Sequence, residues 1–209
     1  MSRPSLPRRS IACVAAPLVL ALLSACSILP KAETPHVYTL PAAPGGRPMA
    51  TTPVTWALRL AAPNAPRALD NSRIAVVPEA NTITVYAGAR WSDAMPKLFR
   101  DRLANGFRDN GRVAALSTDE SDLAADYELG GGLGAFQTEY AGGKPEVVVR
   151  FDAVLADTHK HRIVGSRRFE VHEAVDGKAV PQVVEAFGRA MDKVTADVVA
   201  WTLQTAPSR

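Results

Sequence analysis

The sequence predicts an α+β fold, a single domain with an antiparallel or mixed sheet covered by two long amphipathic helices. Two observations lead there. Apolar residues recur every three or four positions from Trp91 to Phe107 and again from Val180 to Trp201, and three long runs between Tyr127 and Val171 alternate with period two.

The chain opens on a different kind of segment. Met1 to Arg9 carries Arg3, Arg8 and Arg9 with no acid, and Ile11 to Leu23 is apolar apart from Pro17. That is a secretory signal, too short for a comfortable membrane span. It ends in Leu23-Ser24-Ala25-Cys26, where the small residues admit the extended chain to a peptidase groove and the Cys26 thiol is placed to accept a diacylglyceryl group. Cleavage after residue 25 makes Cys26 the first residue, carrying diacylglyceryl and N-acyl groups, and two or three chains anchor stably where one does not. The plainer alternative is an ordinary cleaved signal that leaves Cys26 a free thiol.

Loss of residues 1–25 removes three of the 24 basic residues and none of the 21 acidic ones, so the remainder is neutral. Overall basicity therefore gives no argument for a nucleic-acid partner or an anionic membrane. Cys13 leaves with the signal, and an acylated Cys26 excludes a disulfide, so the core must hold without staples. Residues 26–53 read as a lipidated N-terminus and tether, with Pro30, Pro35, Pro41, Pro44, Pro48 and Pro53 favouring extended backbone. Within it, His36 to Leu40 is strand-like and is expected to pair onto the folded domain, which spans residues 54–205.

Trp56, Leu58 and Leu60 alternate with polar or small residues and predict a strand that the proline-rich Ala61 to Pro66 ends. Ile74 to Val77 and Thr82 to Tyr86 are β-branched runs joined by a turn at Asn81. The period then changes: Trp91, Met95, Leu98, Phe99, Leu103 and Phe107 form a helical stripe, with Ser92 or Asp93 to cap it and Asn110-Gly111 to stop it. A short strand is expected within Val113 to Leu116. Tyr127–Tyr140, Glu146–Ala156 and Arg162–Val171 predict a meander, with Val147, Val149, Phe151, Ala153 and Leu155 on one face. In the last strand Ile163, Gly165, Arg167, Phe169 and Val171 share a face. A final helix over residues 179–203 presents Val180, Val184, Phe187, Met191, Val194, Val198 and Trp201.

Residues with chemistry have plain structural readings. His159 and His161 flank Lys160 in a hairpin tip and have no third ligand by spacing. The run Gly130-Gly131-Gly132-Leu133-Gly134 lies inside a strand pattern and lacks the ending of a phosphate loop, so it marks a bulge, a bend or the approach of another backbone or ligand. Asp93, Asp101 and Asp126 pair with no nucleophile at useful spacing. The sequence reads as a non-enzyme, with no metal or cofactor beyond the acyl groups on Cys26.

A family resemblance rests on named residues. Leu69-Asp70-Asn71-Ser72-Arg73-Ile74-Ala75-Val76, followed by Ile83 to Asp93 with its Ala89-Arg90-Trp91, resembles the signature of the ABC-type transport auxiliary lipoproteins. Tyr38-Thr39-Leu40, Ala125 to Leu129 with Phe136, and Ala186-Phe187 with Trp201 add to it. The resemblance implies a non-catalytic, periplasm-facing lipoprotein that serves an ABC-type lipid transport system. That family includes the paraquat-inducible-type lipoproteins encoded beside MCE proteins, so the resemblance implies an MCE-domain partner and, through it, a permease and an ATPase. It implies coupling of the MCE conduit to the outer membrane, and Ser27 after the cysteine is consistent with that location; the inner membrane is the alternative. A homo-oligomer suits such a role. Asp70, Arg73, Tyr86, Arg90, Trp91, Gly131 and Gly132 are the candidate partner surface or, alternatively, structural motif residues, with an Asp70–Arg73 ion pair and Arg90 stacking on an aromatic ring as structural explanations. Two other classes stay open: an envelope scaffold binding peptidoglycan or an assembly machine, and a lipid carrier with its own apolar cavity.

Overall fold

The computed structural model describes residues 34–42, 52–121 and 123–207. In these, eight strands and two helices follow in the order β1 (His36–Tyr38), β2 (Leu58–Leu60), β3 (Arg73–Glu79), β4 (Thr82–Trp91), α1 (Met95–Asn110), β5 (Leu116–Thr118), β6 (Tyr127–Ala141), β7 (Lys144–Asp157), β8 (Arg162–Ala174) and α2 (Val180–Thr205). The strands join in one mixed sheet. β6, β7 and β8 form the expected antiparallel meander, whereas β6 is parallel to both β2 and β3, β2 to β5, and β1 to β4.

β6 organises the sheet. One edge pairs with β7 from Tyr127 opposite Asp157 to Ala141 opposite Lys144. The other edge is divided: β2 takes residues 127–129, β3 takes residues 137–139, and Asn64 bridges Gly132 between them. The glycines permit this. Gly131 has φ 140°, and a Cβ there would overlap the carbonyl oxygen of Asp152 on β7. Around Gly134 two residues of β6 oppose one of β7, a bulge that bends the strand.

The described core joins the sheet and both helices. Phe136 of β6 stacks on Phe187 of α2, with ring centroids 4.6 Å apart, and Trp91 of β4 meets both rings edge-on. Phe99 of α1 packs on Phe151 of β7, and Phe169 of β8 on Trp201 of α2. The helices meet each other where Thr195 occupies the space a side chain at Gly106 would need, and Arg102 pairs with Asp192 across the same contact. Arg100, buried in α1, pairs with Asp101, with Asp119 after β5 and with Glu120.

Some local expectations change. Trp91 belongs to the helical period in sequence but ends β4, and α1 begins at Met95 with Ala94, extended, at its N-cap. Neither Ser92 nor Asp93 caps it. Asp93 instead accepts a bond from the Ala94 N–H and pairs with Lys97, because the strand runs on to residue 91 and Pro96 sets the first turn. Gly111, φ 76°, ends α1 as expected. The fifth strand lies at residues 116–118, later than expected, where parallel pairing to β2 places it. Ile163 is 64% exposed and leaves the face shared by its neighbours, because the β7–β8 register slips between Leu155 and Ala156.

Gly131→Ala is expected to lower unfolding stability by about 3 kcal/mol, since it combines a left-handed backbone with a blocked Cβ. Gly132→Ala, whose Cβ would approach nothing closer than Asn64 O at 4.0 Å, stays within about 0.5 kcal/mol of wild type. Equal urea midpoints for the two variants would contradict this account of the bend.

Candidate functional site

The motif Leu69 to Arg73 folds as a turn leading into β3. Leu69 is its buried apolar anchor, and Asn71 holds its shape. The Asn71 side-chain amide donates to the carbonyls of Arg67 and Ala68, and its Oδ1 accepts from the Arg73 N–H at 2.8 Å, an arrangement an asparagine makes readily at a turn. The turn also meets the other elements of the junction. Met95 N donates to Asn71 O, Trp91 N to Ser72 O, and Ser92 N to Tyr38 O. The starts of β3 and α1 and the ends of β4 and β1 are thereby fastened at one place.

Asp70 is exposed on this turn, and among the described residues no ion pair joins it to Arg73. Its N–H donates to Pro66 O at 2.9 Å, so the turn hydrogen bond is present and the ion pair is not. Arg73 faces solvent directly opposite Arg90, which in turn stands opposite Val37 on β1. The three side chains form a row across β3, β4 and β1. Arg73 also lines an open groove of about 320 Å³ with Arg67, Asn71, Ile83 and Val85.

Arg90 and Trp91 do not stack. As consecutive strand residues they point to opposite faces, Arg90 to solvent and Trp91 into the aromatic core at 1% exposure. Among the described residues the cation over a ring is Arg167, 5.0 Å from the centre of Phe169. Tyr86 is half-buried, its hydroxyl lies beside those of Thr138 and Tyr140, and burial above all pushes that group up to about 12, so it stays neutral. It lies in the irregular part of β4, between Val85 opposite Ala75 and Arg90 opposite Arg73, where Gly88 has φ 66°. Gly131 and Gly132 are elsewhere, half-buried on β6 between β7 and the Asn64 bridge.

The structure thus brings Arg73 and Arg90 together, puts Trp91 behind them, and adds Arg67, Val37, Ile83 and Val85, none of which was among the candidate surface residues. The alternation of Ile83 and Val85 with Thr84 and Tyr86 was the available signal for a shared face. Cys26 lies outside the described residues, as does the rest of 1–33. Among the described residues no cluster of His, Cys, Asp and Glu is placed to hold a metal, and no helix is long and apolar enough to cross a membrane.

The outer face of β7 and β8 differs in character. Arg150 pairs with Glu170, Arg168 with Asp152, and His172 contacts both Glu146 and Glu170. The two carboxylates raise the His172 imidazole above its ordinary value, and the Arg150 and His172 contacts hold Glu170 down at about 2.

Among the described residues, a mixed eight-stranded sheet with two helices defines an α+β domain whose sequence motifs cluster at a strand-to-helix junction. The chain belongs to the family of ABC-type transport auxiliary lipoprotein components, whose model matches residues 38–199. Its fold is similar to that of protein XCC0632 from Xanthomonas campestris, at 30% identity and a TM-score of 0.73, over 81% of this chain and 95% of that one. A second crystal structure, at 14% identity and a TM-score of 0.63 over 81% of this chain and 99% of the other, shares the fold. The protein bll6063 of Bradyrhizobium diazoefficiens is 29% identical over 119 residues, 56% of this chain, and the match spans about a third (32%) of that longer relative.

Asn71→Ala removes three turn hydrogen bonds and is expected to lower stability by about 1–2 kcal/mol, while Asp70→Ala stays within about 0.5 kcal/mol. Denaturant melts of the pair decide whether Asn71 or Asp70 is the structural residue of the motif. Trp91→Ala costs about 3–5 kcal/mol by opening the core, whereas Arg90→Ala is neutral or slightly stabilising because it relieves a like-charge pair.

The His172 shift carries a pH dependence of known sign. A folded value raised above the unfolded one gives stability that is complete below the unfolded value and lost as pH rises through the folded one. The melting-temperature difference between wild type and His172→Gln is therefore expected to be larger at about pH 5.5 than at about pH 9, and NMR titration should place His172 above a free imidazole. A His172 titration at or below the free value would refute the two-carboxylate contact.

Proposed function

We propose that the protein is a non-catalytic, lipid-anchored auxiliary component of an ABC-type lipid transport system, working with an MCE-domain protein and through it with the permease and ATPase. Membership of the auxiliary lipoprotein family over residues 38–199 is the observation that carries this reading. The sequence supports it at the other end: residues 1–25 act as the signal, and Cys26 bears the diacylglyceryl and N-acyl groups. We place the mature protein on the periplasmic face of the outer membrane, where it couples the conduit to that membrane.

The packing favours an accessory over a carrier. Apolar side chains of β4, β6, β7, α1 and α2 fill the described interior against one another, with Trp91, Phe136 and Phe187 at its centre. The protein-partner surface is the start of α1 with the glycine-bearing part of β6, and the outward arginines of β3 and β4 lie outside it. No metal or other cofactor enters the proposal.

Gentle extraction of the full-length product from its own envelope, followed by mass spectrometry of the complex, tests this. Acylation at Cys26 and a copurifying MCE protein are the expected result. Acylated protein recovered with peptidoglycan-associated or assembly proteins, and no transporter component, would establish the scaffold instead; stoichiometric bound lipid with no protein partner would establish the carrier.

A further inference from the structure

The solvent face of β1, β4 and β3 carries charge and apolar surface that the fold itself does not use. Arg67, Arg73 and Arg90 take part in no ion pair among the described residues, and Arg73 and Arg90 stand directly opposite each other, an unfavourable pairing for a sheet. Val37, 52% exposed, adjoins Arg90 in the same cross-strand row. Ile83 and Val85, 46% and 37% exposed, line the groove with Arg67 and Arg73. Asp70 is the one carboxylate of the adjoining turn. On β7 and β8, by contrast, Arg150 and Arg168 are each answered by the carboxylate directly across the strand pair.

Arginines beside exposed aliphatic side chains fit a partner with closely spaced anionic oxygens above an apolar layer. Guanidinium forks take phosphate oxygens in pairs, and valine and isoleucine beside them enter the headgroup boundary. The length of chain before β1 favours a bilayer over an acidic protein. Nine residues lie between Cys26 and His36, and the ten Cα-to-Cα steps span at most about 36 Å when fully extended, so an acylated Cys26 keeps β1 within a domain diameter of the membrane.

We propose that Arg67, Arg73 and Arg90, with Val37, Ile83 and Val85, form a docking face that lays the domain against an anionic phospholipid bilayer. The proposal rests on the anchor reading given above and adds an orientation to it. The test uses full-length protein with its native processing, reconstituted into phosphatidylcholine vesicles with and without about 30 mol% phosphatidylglycerol. A fluorophore on Ile83→Cys is read against spin-labelled lipid, and one on Ile163→Cys, exposed on β8, serves as the reference position.

The expected result is lipid quenching at residue 83 and little at 163. It should be stronger with phosphatidylglycerol, and weaker by about fivefold or more in equilibrium terms for each arginine removed in Arg73→Glu and Arg90→Glu. A residue-83 label in water in both vesicles overturns the docking face, as does equal quenching at 83 and 163 or quenching untouched by the arginine changes. Release of a bound acidic protein by those changes, with quenching unaltered, reassigns the face to a protein and also overturns it. Intact mass of the same sample separates the two readings: acylated, vesicle-bound protein with residue 83 in water defeats the docking face alone. Unacylated protein with arginine-dependent quenching defeats the anchor alone, and unacylated protein that ignores vesicles defeats both.

Discussion

The structure depends on the need of one long strand to satisfy its backbone on both edges. β6 runs through the middle of the sheet, where an unpaired N–H or carbonyl would be costly. β7 serves one edge continuously. The other edge is served piecewise by β2, by Asn64 and by β3, three parts of a chain that arrives from before the helix. From this follow the parallel pairings, the glycines that let neighbouring backbone close in, and the position of β4, which pairs with β3 and so carries Trp91 to the aromatic centre.

That arrangement also decides what the junction motif does. The Leu69 to Arg73 turn delivers β3 to the edge of β6, and its carbonyls receive the N–H groups of Trp91 and Met95. A motif open to reading as partner surface or as structure is largely a fastening. Its outward residues, Arg73 and Arg90, remain free for another purpose because the fastening uses the backbone and Asn71.

Much of the fold could be read from residues. The meander followed from alternation in β6, β7 and β8, the helices from their apolar stripes, and the pairing of β1 from a strand-like patch within a proline-rich segment. The parallel pairings were not legible, because they join segments far apart in sequence and leave no local period. Trp91 fitted a helical stripe by spacing alone, and only the run of β4 to residue 91 shows it to be a strand residue. At the junction, Arg90 and Trp91 were recognised as a pair, yet strand geometry separates them onto opposite faces. The like-charged row of Arg73 and Arg90 required a register that sequence does not contain. Cys26, the residue most sharply marked by its neighbours, lies in a part of the chain outside the described structure.

Downstream of β1, Pro41 lies against α2, with its Cβ 2.9 Å from where a side chain at Gly188 would begin. The segment is therefore held twice, by parallel strand pairing to β4 and then by a wedge on the helix. Tension arriving from the N-terminal side along the strand axis meets the β1–β4 hydrogen bonds together, in shear, instead of peeling them one at a time. Behind them the wedge blocks slippage. The N-terminal entrance is built as a mechanical coupling, able to pass a pull into the core of the domain without first unravelling the edge of its sheet.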